Sequence, residues 1–341
     1  MSQKVGAPQG AGIGTAWSGD APVFAFGDGL LRIGTQKFRP HDGGILAMAH
    51  DPVTGQVVTC GDDGRVMACS MGQEPVLLYQ HASNWLDLMA FDPVGGVLAV
   101  GAGRRVILCD ARTPQTPAVV LDLPRAATAL AFNATGSHLA MGHSQGVRLV
   151  DMADPLGDAL DLPCAGGPIS VAMDASAGFL FAGLSEPALA GWRLRDGQGF
   201  RMGGYPAKPR QLVWDHTGTL LLTSGGPALL VWPLTGKEGG ALVGPMGQAA
   251  GVYRPRLGLV TAVASVGTMA AIGWSDGGVD VVDLTTNASR HIGGPRPPKT
   301  LTKDPRTLTR PIISVALRGD GKQVSWINEA GVYSSALVSL V

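Results

Sequence analysis

Residues 45–70 read ILAMAHDPVTGQVVTCGDDGRVMACS. One apolar run ends at Asp-Pro-Val-Thr-Gly, a second at Gly-Asp-Asp-Gly and a third in Cys69. A polar gap follows, and PVLLYQHASN (75–84) supplies a fourth run. Runs this short, rich in Val, Leu and Ala and bounded by Gly and Asp, read as strands and not as helices. Gly-Asp-Asp-Gly supplies the positive-φ positions of a tight hairpin, which Gly, Asn and Asp tolerate best.

The same order returns along the chain. From Trp85, WLDLMAFDPVGG is followed by VLAVGAGRR, VILCDA and AVVLDLP; residues 128–163 hold TALAFNATG, SHLAMGHSQG, VRLVDM and DALDLP. Further copies are ISVAMDASAG, FLFAGLSEPAL and AGWRL from Ile169, and QLVWDHTG, TLLLTSGGPA and LLVWPL from Gln211. Two looser copies are LVTAVASVG, TMAAIGWSDGG and VDVVDL from Leu259, and IISVALRGDG, KQVSWINEAG and VYSSALV from Ile312. The front forty residues hold GIGTAWSGD, APVFAFGDG, LLRIGT and QKFRPHD, a unit of the same form. Turn glycines at Gly55, Gly95, Gly136, Gly178 and Gly218 give steps of 40, 41, 42 and 40 residues. Four short runs per unit at a period near forty are the signature of a propeller blade. Stacked blades share one core, so no blade stands alone.

These units resemble WD repeats, with an Asp-Gly turn between second and third strands and a Trp or Asp closing the third. Cys109-Asp110, Val150-Asp151 and Val282-Asp283 keep only the Asp, Trp192 and Trp232 keep only the Trp, and no third strand ends in an intact pair. The family's Gly-His step is mostly missing, although His41 and His81 sit near its place. The resemblance implies one all-β domain over residues 1–341, a β-propeller that acts as a platform for proteins or peptides. Eight units predict eight four-stranded blades; seven is the alternative if the front unit or the last, interrupted by Trp326, fails to form. The last unit stops after its third run, so residues 2–8 (SQKVGAP) are expected to pair with it as an outer strand and remove an exposed edge.

Composition narrows the function classes. Lys+Arg 26 balances Asp+Glu 26, charged residues are 15%, and hydrophobic residues are 45% of 341. Nothing global draws such a chain to nucleic acid or an anionic membrane, and no run approaches the ~20 apolar residues that span a bilayer. Cys60, Cys69, Cys109 and Cys164 form no C-x-x-C pair and read as reduced, mostly buried thiols, which together with a start lacking a signal-like apolar stretch suggests a cytoplasmic protein. Short Ala/Gly-rich blades look bacterial. A monomer or a member of a larger complex is expected.

In an antiparallel meander the blade junctions and the second-to-third turns lie at one end of the strands. That end would carry Asn84, Trp85, Arg125, Lys208, Arg210, Tyr253, Arg254, Arg256 and Arg310, with turn residues Asp62, Arg65, Arg104 and Arg105. The 291–310 stretch, HIGGPRPPKTLTKDPRTLTR, reads as an extended insertion at this end and adds Lys303 and Arg306. Arg and aromatic residues are over-represented in binding hot spots, so this basic end would suit an acidic, extended partner segment, and the other end should be more acidic. The same arginines would equally serve as junction salt bridges.

Chemistry is sparse. The seven histidines contain no H-E-x-x-H, no cysteine has zinc-finger spacing, and His138 with His143 is the nearest approach to a metal pair. Cys69 and Cys109 hold equivalent third-strand positions and read as packing residues. Glycine runs lack a following helix, and no G-x-S-x-G elbow occurs. No catalytic residue, cofactor or metal is expected; the alternative is a propeller enzyme or small-molecule binder using its channel mouth.

Overall fold

A computed structural model describes residues 10–82, 85–113, 118–234, 258–294 and 310–338, plus the backbone of short strands at 237–238, 241–242 and 250–251. Every regular element among the described residues is a strand. The strands form eight consecutive antiparallel sheets, spanning 12–38, 45–80, 88–122, 127–163, 168–202, 212–251, 260–293 and 312–337. Seven have four strands in meander order, although the sixth takes Ala250–Gly251 as its outer strand, after a ribbon of Lys237–Glu238 and Ala241–Leu242. The eighth has Ile312–Leu317, Gln323–Asn328 and Tyr333–Leu337; the expected closing strand, residues 2–8, lies outside the described residues. Trp326 does not interrupt its strand and is buried there.

The chain divides into two compact units, residues 25–204 and residues 1–24 with 205–341. In the 25–204 unit, sheets two to five stack pairwise. Cys60 and Val66 of sheet two pack with Leu98 and Val100 of sheet three; Val106 and Leu108 of sheet three with Leu139 and Met141 of sheet four; Val147 and Leu149 with Leu180 and Trp192 of sheet five. In the other unit, Leu222 and Val231 pack with Ile272 and Trp274, and Val279 and Val281 with Val315 and Trp326. The first and last sheets also meet within this unit: Thr15 Oγ1 bonds Ser325 Oγ at 2.8 Å, and the Phe24 and Tyr333 rings lie 4.5 Å apart. Second and third strands are buried on both faces, which explains their unbroken apolar runs.

Two repeated devices shape the sheets. The inner strands of sheets two, four, five, seven and eight each carry a register shift after their first residue, at Leu46, Thr128, Ile169, Thr261 and Ile313. Such bulges increase local twist. At the other end of the inner strand a buried Asp51, Asp92, Asn133, Asp174 or Asp215 caps the following turn; Asp215, for example, accepts from the Thr217, Thr219 and Leu220 N–H groups. The Trp-Asp dipeptide Trp214-Asp215 therefore belongs to an inner strand, with its Asp serving the turn. The left-handed turn positions are Gly55, Gly96, Gly136, Ala177 and Gly218, so in two turns the expected glycines, Gly95 and Gly178, are displaced by a neighbour.

Candidate functional site

Junctions and second-to-third turns share one end of each sheet, and the side chains there fall into two groups. Several are tied down. In the 25–204 unit Arg65 Nη1 lies 2.9 Å from Asp42, Arg105 Nε 3.6 Å from Asp122, and Arg201 Nη2 2.7 Å from Glu186. Arg104 Nε donates to the Leu123 carbonyl at 3.2 Å, and Asp62 accepts from the Gly44 N–H at 2.9 Å. A Cβ on Gly43 would lie 1.9 Å from Asp62 Oδ1, so only glycine admits this cap.

The second group is exposed. Arg125 follows Leu123, whose N–H is held by the Arg104 carbonyl, and precedes Ala127, held by that of Gly103. Its own side chain is exposed and has no ion-pair partner among the described residues. Trp85 sits beside Leu86, which is fully buried and accepts the Cys60 thiol at 3.0 Å. With Leu86 fixed, Trp85 takes φ 98°, leaves its indole 59% exposed and donates from Nε1 to Asp87 at 3.3 Å. A bulky residue in this region costs about 1–3 kcal/mol and marks a candidate functional position.

In the other unit Lys208 and Arg210 are exposed on a junction whose backbone is pinned by Ala207 N–H to Gly225 O and by Gln211 N–H to Ser224 Oγ. Arg310 is exposed before Pro311, whose carbonyl accepts the Glu329 N–H. Lys208, Arg210 and Arg310 have no ion-pair partner among the described residues. Asn84, Tyr253, Arg254, Arg256, Lys303 and Arg306 lie outside the described residues. His291, read as the start of the insertion, instead belongs to the outer strand Ser289–Gly293, bonding buried Asp280 at 2.9 Å.

Two side-chain networks escaped the sequence. His41, fully buried, joins Asp63 of the Asp-Gly turn through Nδ1 at 2.9 Å and Thr59 of the second strand through Nε2 at 2.9 Å. In sheet six Tyr205 takes that position, with its hydroxyl 2.7 Å from Thr223 Oγ1 and accepting Trp232 Nε1–H at 2.7 Å. Burial pushes the Tyr205 phenol up to about 12. The signal was a His or Tyr in the junction ahead of a Thr-x-Gly that ends the second strand. Gln211 was also missed: its amide accepts from Val263 N–H at 2.7 Å and donates to Ile313 O at 3.2 Å, joining the inner strands of sheets six, seven and eight.

No group of three His, Cys, Asp or Glu able to hold a metal exists among the described residues. His138 and His143 begin and end one strand, about 16 Å apart at a strand's rise. All four cysteines are free thiols; burial raises Cys60, Cys69 and Cys109 to about 12, and Cys164 is half-buried.

The computationally designed Ika8 protein superposes with a TM-score of 0.70 at 19% identity, covering 97% of both chains. The β-propeller domain of Cps50 (Swd1) from Myceliophteria thermophila gives 0.65 at 13% identity over 86% of this chain and 97% of that one. The fold is an eight-bladed β-propeller. No family model matches the chain, and no curated protein matches its sequence.

Proposed function

We propose that this propeller is a WD-repeat platform whose blade-junction ends hold an acidic, extended segment of a protein partner, in the cytoplasm. Support for the family comes from the His41–Asp63–Thr59 and Tyr205–Thr223–Trp232 networks, which knit junction, turn and second or third strand in blades that keep the His or the Trp of the repeat. Propellers serve many functions, so the site and not the fold must carry the reading. The observation that carries it is selective: Arg65, Arg104 and Arg105 are each engaged by neighbours, whereas Arg125, Lys208, Arg210 and Arg310 are exposed without an ion-pair partner among the described residues, and Trp85 is held outward at φ 98°. Within the 25–204 unit, the aromatic Trp85 and the uncommitted cation Arg125 favour a partly apolar, acidic segment, and Lys208, Arg210 and Arg310 offer uncommitted cations on the other unit. Tyr253, Arg254, Arg256, Lys303 and Arg306 extend the same proposal.

The test is an affinity pull-down from the native cell with the wild type beside an Arg125→Glu, Arg210→Glu, Arg256→Glu, Arg310→Glu variant. Partners lost only from the variant support the reading; equal retention removes the junction ends from it.

A further inference from the structure

The far ends of blades two and three, in the 25–204 unit, carry a different surface. Between them lies a cavity of about 240 Å³ lined by Thr54, Gln56, Ser70, Val76, Leu78 and Arg112. Val53, next to Thr54, is 68% exposed; Met71, next to Ser70, is 50% exposed; and Val94, whose carbonyl accepts Arg112 Nη1–H at 2.9 Å, is 58% exposed. Apolar side chains gathered in this way around an opening mark an interaction site more often than chance. The volume is below the about 300 Å³ at which small-molecule sites begin, and suits one large apolar side chain.

Charge decides the occupant. Arg112 is the cation at the far ends of blades two to four among the described residues, and it is spent: Nε and Nη2 reach the buried Asp51 carboxylate at 3.1 and 3.3 Å. Burial pushes His50 down, against the raising influence of Asp51, and so disfavours its charged form. Glu74, Asp154 and Asp158 are exposed at this end with no cation in ion-pair range among the described residues, and Asp110 is bonded to the backbone N–H groups of Arg112 and Thr113. We propose that this surface binds a cationic amphipathic segment of a protein partner, with one apolar side chain in the cavity and Lys or Arg side chains facing these carboxylates. The Ser70 hydroxyl and the Gln56 side-chain amide at the cavity wall give the entering backbone hydrogen-bond partners, while the Thr54 hydroxyl is held by Asp51. Complementary charge sets specificity and encounter, while the buried side chain sets residence. This surface is separate from the junction ends and stands without the reading given to them.

The full chain is titrated into a fluorescein-labelled Leu/Lys amphipathic peptide and followed by anisotropy, beside a Leu/Glu counterpart and a Ser/Lys peptide that lacks apolar residues. Binding of the Leu/Lys peptide alone is expected, weakening with salt. About a tenfold loss is expected in Val53→Ser, Met71→Ser, Val94→Ser and, separately, in Val76→Trp, which fills the cavity mouth. Thermal melts by circular dichroism establish that these surface variants fold, and Arg125→Glu with Arg210→Glu binds as the wild type does. Equal binding of all three peptides, no binding, or affinity indifferent to the triple Ser variant overturns the proposal. So does a dimer in sedimentation that the triple Ser variant dissolves, because the occupant is then a second copy.

Discussion

Asp51 and Arg112 stand 61 residues apart, yet the guanidinium holds the carboxylate through two nitrogens. Burial alone would raise Asp51; the hydrogen bonds from Arg112, Val53 and Thr54 outweigh it and leave the carboxyl below its ordinary value. Asp63 follows the same logic, with burial opposed first by His41. A carboxyl depressed in the folded state lends stability that is complete above the unfolded value of about 4 and is lost as pH falls through the folded value. The melting temperature should therefore hold from neutral pH to about 4 and then decline. Arg112→Ala removes the largest lowering influence on Asp51, so the variant should melt lower at pH 7 and lose less below pH 4, because the folded and unfolded values of Asp51 then lie closer together. A pH series of calorimetric melts checks both; superimposable acid limbs would show that the pair contributes nothing. No reading of the sequence could join these residues, because their meeting depends on how one blade stacks on the next.

Along single elements the sequence was informative where local patterns decide and silent where stacking decides. Apolar runs and Gly-Asp turns located the strands, from Ile45–His50 through Gln323–Asn328, because period and turn chemistry act within a few residues. The inner-strand bulges were not legible, since the residues at them, Leu46 and the β-branched Thr128, Ile169, Thr261 and Ile313, are ones that any regular strand position also takes. The division of junction arginines into engaged and exposed was equally hidden, as Arg105 finds Asp122 only after its outer strand has paired. The turns hold a subtler case. Glycine steps are uneven, whereas the left-handed positions at 55, 96, 136, 177 and 218 recur every 40 or 41 residues, which forces Ala177 to φ 54°. The turn obeys the blade's geometry and not the nearest glycine. An L-residue there costs roughly 1–2 kcal/mol, so Ala177→Gly should stabilise the protein by about 1 kcal/mol in chemical denaturation. A neutral or destabilising result would place the strain elsewhere.

At the largest scale, neighbouring blades within each unit share a core, and the last blade meets the first through Thr15, Ser325, Phe24 and Tyr333. Removing the Tyr333 ring should cost roughly 3 kcal/mol, as for other buried aromatics. Because no blade is stable by itself, the loss in Tyr333→Ala should appear as a downward shift of one calorimetric transition. A second, low-temperature transition confined to a few blades would show that closure and folding are separable.

Three of the four thiols are sealed inside third and second strands with their ionisation pushed to about 12, while Cys164 lies half-buried in the junction between blades four and five, its thiol raised less strongly by burial and donating to its neighbour's carbonyl. Thiol reagents act on accessible thiolate. The native chain thus comes with a single address for a maleimide dye, placed at the same end of the strands as Arg125 and Trp85, and a probe attached there would turn the arrival of a partner into a change of colour or intensity without a single engineered residue.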